Sequence, residues 1–163
     1  MKKVMLALAV VAIMLPIAGA TDPPEVKEGL WSVHSESIRN PGDKKSEETY
    51  TLCRNHAYDQ SVRAREKGLK GCTTVSESFQ DHKYTSEIHC TAGKTAIESK
   101  GTTTFQGDTA LHSETHATYT PALGGVSETT IVRDEKYVGS CPVGTAPGDR
   151  TNPDGTVISL GKD

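Results

Sequence analysis

The feature that most limits what this chain can fold into is a pair of long β-prone segments, residues 95–105 and 109–119, flanking Gln106-Gly107-Asp108. Thr, Ile, Phe and Tyr suit a pleated, half-buried surface, and Gly107 supplies the positive φ that a tight reversal needs. Residues 95–119 therefore predict a β-hairpin with long arms, and nothing of comparable length in the chain has a helical pattern.

The same alternation recurs on both sides. A first strand starts at Gly29-Leu30-Trp31, with Trp31 and Val33 on one face and Leu30, His34, Glu36 and Ile38 on the other. Asn40-Pro41-Gly42-Asp43 makes a turn, since proline sets φ and glycine relieves it. In the second strand Tyr50 and Leu52 alternate with Thr49, Thr51 and Cys53. The period then changes. Asn55 can cap a short helix over residues 56–67 that ends at Gly68, with Tyr58 and Val62, four apart, on its buried side. Strands resume over residues 72–79 and 84–90, continue through the central hairpin, and close with residues 126–138 after a Pro121-Ala122-Leu123-Gly124-Gly125 link. The pattern predicts a mainly β fold: an antiparallel meander of about seven strands curling into a barrel or half-barrel, with one short inserted helix.

At the start of the chain, Lys2 and Lys3 precede residues 4–15, which carry no polar side chain, and Ala18-Gly19-Ala20 has the small-x-small form of a signal-peptidase site. Residues 1–20 read as a signal peptide, residues 21–28 as a linker, residues 29–141 as a single β domain and residues 142–163, rich in Gly, Pro, Asp and Thr, as a largely disordered tail. The apolar run is too short for a membrane span, which needs about 20 residues, so no span is expected in the mature chain. A membrane β-barrel is equally disfavoured. On the sixth strand neither Leu111, Ser113, Thr115 and Ala117 nor His112, Glu114 and His116 makes an oily face.

Removing Lys2 and Lys3 with no acidic residue moves the formal net charge from -3 to -5. Such a surface has no general attraction to nucleic acid or anionic lipid. Apolar residues fall to 40 of the remaining 143, a thin supply for one core, so the fold needs covalent help. Cys53, Cys72, Cys90 and Cys141 provide it, since none lies in a zinc-binding spacing and an exported chain forms disulfides. Two disulfides are expected, and three pairings are open. If the reversal between Phe79 and Tyr84 is centred on Asp81-His82, a regular register sets Cys90 opposite Thr73 and turns Cys72 and Cys90 to different faces. That favours Cys53 with Cys72 and Cys90 with Cys141, although in an up-and-down order the latter two fall at opposite ends of the sheet.

Taken together, Gly29-Leu30-Trp31, Leu52-Cys53 before a short helix, Gly71-Cys72, Ile88-His89-Cys90, Phe105-Gln106-Gly107-Asp108 and the closing Gly139-Ser140-Cys141 resemble the exported bacterial family catalogued as domain of unknown function 3617. The resemblance spans residues 29–141. It implies an envelope or secreted location and a one-domain β protein, and it brings no activity and no catalytic residues. Residues 40–48 are charged where many members are methionine-rich, and the tail is longer than usual.

Chemistry is sparsely signposted. His112, Glu114 and His116 alternate on one strand face, but neighbours there lie about 7 Å apart, awkward for one metal ion, and a solvated face is the plainer reading. No serine sits in a Gly-x-Ser-x-Gly elbow, the carboxylates are scattered, and no glycine loop cradles a phosphate. No enzyme activity, catalytic residue or cofactor is assigned. The leading expectation is a binding module for a small apolar or amphipathic envelope ligand, held in the concave face and lined by Trp31, Tyr50, Phe105 and Tyr119. The alternative is a structural or assembly factor that meets another envelope protein through a sheet edge or the tail. Metal buffering through His112 and His116 is a weaker third.

Overall fold

The computed structural model of the protein describes residues 22–160, so the leader assigned to residues 1–20 lies outside the described residues. Among those described, the elements are β1 (Gly29–Asn40), β2 (Lys44–Arg54), α1 (His56–Lys67), β3 (Cys72–Gln80), β4 (Lys83–Ala92), β5 (Thr95–Gln106), β6 (Ala110–Leu123), β7 (Val126–Gly139), β8 (Asp149–Thr151) and β9 (Val157–Ser159). All the strands join one antiparallel sheet in the spatial order β3-β4-β5-β6-β7-β1-β2-β8-β9. The meander thus runs from β3 to β7, and β7 returns to pair with β1. The sheet stays open because its two edge strands, β3 and β9, do not pair. Of the two expected shapes the closed barrel is ruled out, and the chain is a curled half-barrel.

The opening has a local cause. The Asn55 side chain accepts the Tyr58 amide at 2.8 Å and caps α1, and the Gly68 amide donates to the Ala64 carbonyl at its far end. A helix of 12 residues is about 18 Å long, so it carries the chain away from β2 before β3 can pair with it. The expected helix therefore has the expected limits, and it separates two strands that an uninterrupted meander would have joined.

Strand parity decides what faces inward. Cross-strand register sets Val33 beside Tyr50 and Glu135, Trp31 beside Leu52 and Tyr137, and Phe105 beside Leu111. Trp31, Phe105 and Leu111 form one buried cluster with Val26 from the segment ahead of β1, closed by Phe79, Tyr84 and Tyr137. Val33, Tyr50 and Leu52 form a second, and Tyr58 of α1 packs on it. Burial of these side chains drives the curl, at roughly 25 cal/mol per Å² of apolar surface removed from water. The chain closes tightly where β1 meets β7: Gly29 sits at φ 139°, and a Cβ there would collide with the Gly139 carbonyl. That close approach is the physical demand behind the glycine of Gly29-Leu30-Trp31.

The central hairpin forms as its sequence predicts, with Phe105 opposite Leu111 and Gly107 at φ 66° in the turn. At the other end β6 runs on through Leu123, which pairs with Val126, so the reversal narrows to Gly124-Gly125.

The disulfide pairing differs from the one favoured above: Cys53 bonds Cys141, and Cys72 bonds Cys90. The reversal is indeed centred on Asp81-His82, with Phe79 opposite Tyr84, but a bulge between Thr74 and Ser76 takes Val75 out of the pairing. That one extra residue shifts the register and brings Cys72 opposite Cys90. Cys53 and Cys141 meet because Leu30 of β1 has Cys53 on one side and Gly139 on the other, so both cysteines gather at one end of β1. Cys53 and Cys72 flank the two ends of α1, which holds them apart.

The segment expected as a loose tail carries β8 and β9. β8 adds to β2 through Thr51 with Thr151 and Leu52 with Arg150, and β9 pairs with β8. Segment 22–28 is also docked: Val26 is buried, the Trp31 indole N–H donates to the Lys27 carbonyl at 2.8 Å, and the Glu28 carboxylate accepts the His56 amide at 3.0 Å.

Candidate functional site

An open cleft of about 320 Å³ lies between α1 and the concave face of the sheet. Tyr50, Leu52, Tyr58, Val62 and Leu160 give it apolar walls, and Arg54, Arg63, Arg133, Asp59 and Glu135 give it charge. Its floor follows from parity: Tyr50, Leu52 and Arg54 are alternate residues of β2, while Arg133 and Glu135 are alternate residues of β7. Its roof follows from the helix, where Tyr58 and Val62 recur one turn apart. The tail supplies the last wall. The Arg150 guanidinium stacks 3.8 Å from the Tyr50 ring centroid and bonds Glu48 at 2.9 Å, and Leu160 reaches the cleft rim while its carbonyl accepts from Arg65 at 3.3 Å.

The cations of the cleft differ in how they are held. Arg54 is held at two points: its Nε donates to Asp59 at 3.0 Å and its Nη1 to Glu135 at 2.6 Å, while its guanidinium lies 5.0 Å over the Trp31 ring. All three of these charged side chains are largely withdrawn from solvent, so the geometry is that of a buried, doubly bonded ion pair. Arg133 is different. Its Nε is buried and has no hydrogen-bond partner. Burial raises the Tyr50 phenol above its ordinary value, with Arg133 pulling the other way, and burial likewise raises Tyr58. Glu66 on α1 keeps exposed surface, yet desolvation beneath the helix raises its carboxyl, opposed by Arg133 and Arg63.

The four rings expected to line a ligand site are not gathered in one place. Trp31 and Phe105 are buried in the first cluster, Tyr50 lines the cleft, and Tyr119 belongs to neither cluster. On the opposite, convex face, His112 donates or accepts at Asp134, 2.7 Å away, and at Glu114, 3.2 Å away, and these contacts raise its pKa, the Asp134 hydrogen bond most. His116 sits further along the strand between Lys100 and Thr130. Among the described residues no group of three His, Cys, Asp or Glu side chains is placed to hold a metal ion. Among the residues that sequence reasoning passed over are Arg54, Arg133 and Glu135. The signal for them was present, because each continues the inward parity of an apolar neighbour: Leu52 for Arg54, Ile131 for Arg133, Tyr137 for Glu135.

These features define a small disulfide-bonded half-barrel whose one helix covers a cleft in its concave face. The chain belongs to the family described as protein of unknown function (DUF3617), whose model matches residues 26–141. A search of curated proteins found no match. Among solved structures, the S-type phycobiliprotein lyase CPES from Guillardia theta is similar at 10% identity, over 69% of this chain and 89% of that one, with a TM-score of 0.40. A likeness at that level assigns no activity to this chain. No helix among the described residues is long and apolar enough to cross a membrane.

Proposed function

We propose that this protein is an exported binding module, periplasmic or secreted, whose cleft between α1 and the sheet takes a small amphipathic ligand. The observation that carries the reading is the cleft itself: its 320 Å³ stand at the lower end of the roughly 300–1,000 Å³ typical of small-molecule sites, and ring and aliphatic walls meet a few charged groups there. Two disulfides, together with the signal-like residues 1–20, fit an oxidising compartment. Of the two surfaces an assembly factor would offer, a sheet edge or the tail, the tail pairs with β2 at Thr51 and Leu52.

Uptake of the uncharged dye N-phenyl-1-naphthylamine, followed by its fluorescence, tests the cleft. Val62→Trp, which fills the space from the helix side, is expected to weaken uptake about tenfold or more while leaving circular dichroism unchanged. Equal uptake by a natively folded Val62→Trp variant overturns the binding reading. Intact mass of the native protein showing residues 1–20 retained or four free thiols overturns export.

A further inference from the structure

Resting on that cleft, we propose that its ligand is an anionic amphiphile whose charged group seats on Arg133, assisted by Arg63, with its apolar body against Tyr50, Leu52 and Val62. Three arginines line the cleft against two carboxylates, Asp59 and Glu135, and both carboxylates are bonded to Arg54. Of the nearby arginines outside the lining, Arg150 is held by Glu48 and Asn152, and Arg65 donates to the Leu160 carbonyl. That leaves Arg133 on β7 and Arg63 on α1, both in the lining of the cleft, with no hydrogen bond or ion pair to either among the described residues. Glu66 on α1 lies close enough to feel both guanidinium groups, and no hydrogen bond or ion pair joins it to either among the described residues.

A guanidinium offers five donors in a flat fork that matches a carboxylate, sulfonate or phosphate. Buried polar groups are almost always partnered, so the orphan Nε of Arg133, a donor already withdrawn from water, marks this guanidinium as one with hydrogen-bonding capacity still unused. An anion there would bond a donor that the fold has already desolvated, whereas a neutral ligand of the same shape would leave it unsatisfied. The site therefore discriminates by charge as well as by fit.

Two dyes with one ring framework separate charge from shape: 8-anilinonaphthalene-1-sulfonate carries an anion, and N-phenyl-1-naphthylamine carries none. The unaltered, disulfide-bonded protein is expected to bind the sulfonate more tightly. Arg133→Gln should weaken the sulfonate about tenfold and the neutral dye less than about twofold, with Arg133→Lys between, because charge survives but the fork does not. Arg63→Gln should show the same selectivity with a smaller loss. Displacement of the sulfonate by octanoate or by octyl phosphate, and not by octanol, identifies carboxylate or phosphate as the group held. Equal affinity for the two dyes, equal displacement by octanol, or a sulfonate site unchanged in a folded Arg133→Gln variant overturns the anion assignment while the cleft reading stands. Binding of neither dye overturns both.

Discussion

Two neighbouring parts of one concave face have been finished in opposite ways. At the end where β1 meets the turn of the central hairpin, Trp31, Phe105, Leu111 and Val26 fill the space, with Trp31 edge-on to Tyr137 at 6.2 Å and Phe79 edge-on to Phe105 at 5.7 Å. Beside it, under α1, the same strand parity delivers Tyr50, Leu52, Arg54, Arg133 and Glu135, and the space is left open. Rings close a concavity because edge-to-face packing adds to area burial, whereas guanidinium groups keep theirs open because each needs partners or water. Arg54 stands on the boundary, its flat face over Trp31 and its edge bonded to Glu135 and Asp59. A protein with so little apolar mass thus places its larger buried cluster in this plug, and the smaller one, Val33, Tyr50 and Leu52, borders the open cleft.

The contrast can be broken most directly at the plug. Trp31 is fully buried and its indole N–H is bonded, so Trp31→Ala should cost close to the upper end of the roughly 3–5 kcal/mol seen for large aromatic truncations. Denaturant unfolding measures this, and a loss no greater than that of Val62→Trp in the cleft would mean that the two parts do not differ. At the boundary, Arg54→Met should cost about 3 kcal/mol because it strands two carboxylates that are largely shielded from water. Adding Asp59→Asn and Glu135→Gln should restore part of that loss. Additive losses in the combined variant would show that the three side chains are not a coupled unit.

The smallest effect sharpens the cleft. Glu66 has a folded pKa raised above its ordinary 4.5, chiefly by desolvation, so its contribution to stability is full below that value and is lost as the pH rises through the folded pKa. Glu66→Gln should therefore raise the melting temperature slightly at pH 7 and confer no advantage below about pH 4.5, the unfolded value. A stabilisation that is the same at both pH values would remove desolvation as its cause.

Much of this was legible in one dimension. Period-two alternation placed the strands, Asn55 and Gly68 bounded the helix, and Gly107 located the central turn, because each depends on contacts between residues near in sequence. The inward face of β2 was legible through Tyr50 and Leu52, and extending that parity by one step would have reached Arg54. Composition drew attention to rings instead, and of Trp31, Tyr50, Phe105 and Tyr119 the cleft uses Tyr50 alone. Val75 explains the disulfides: a single bulged residue exchanges the faces of everything before it on β3, and nothing in Thr-Val-Ser announces which residue will be left out.

What the chain determined by itself was therefore local: where the backbone alternates, where it turns and where it coils. Whether β2 would meet β3, which cysteines would bond, whether Val157 and Ile158 would find a neighbour, and which arginine would be left without an acceptor were decided only when distant strands came together. Those outcomes depend on register and on the length of α1 across the opening, and both are properties of the assembled sheet rather than of any stretch within it.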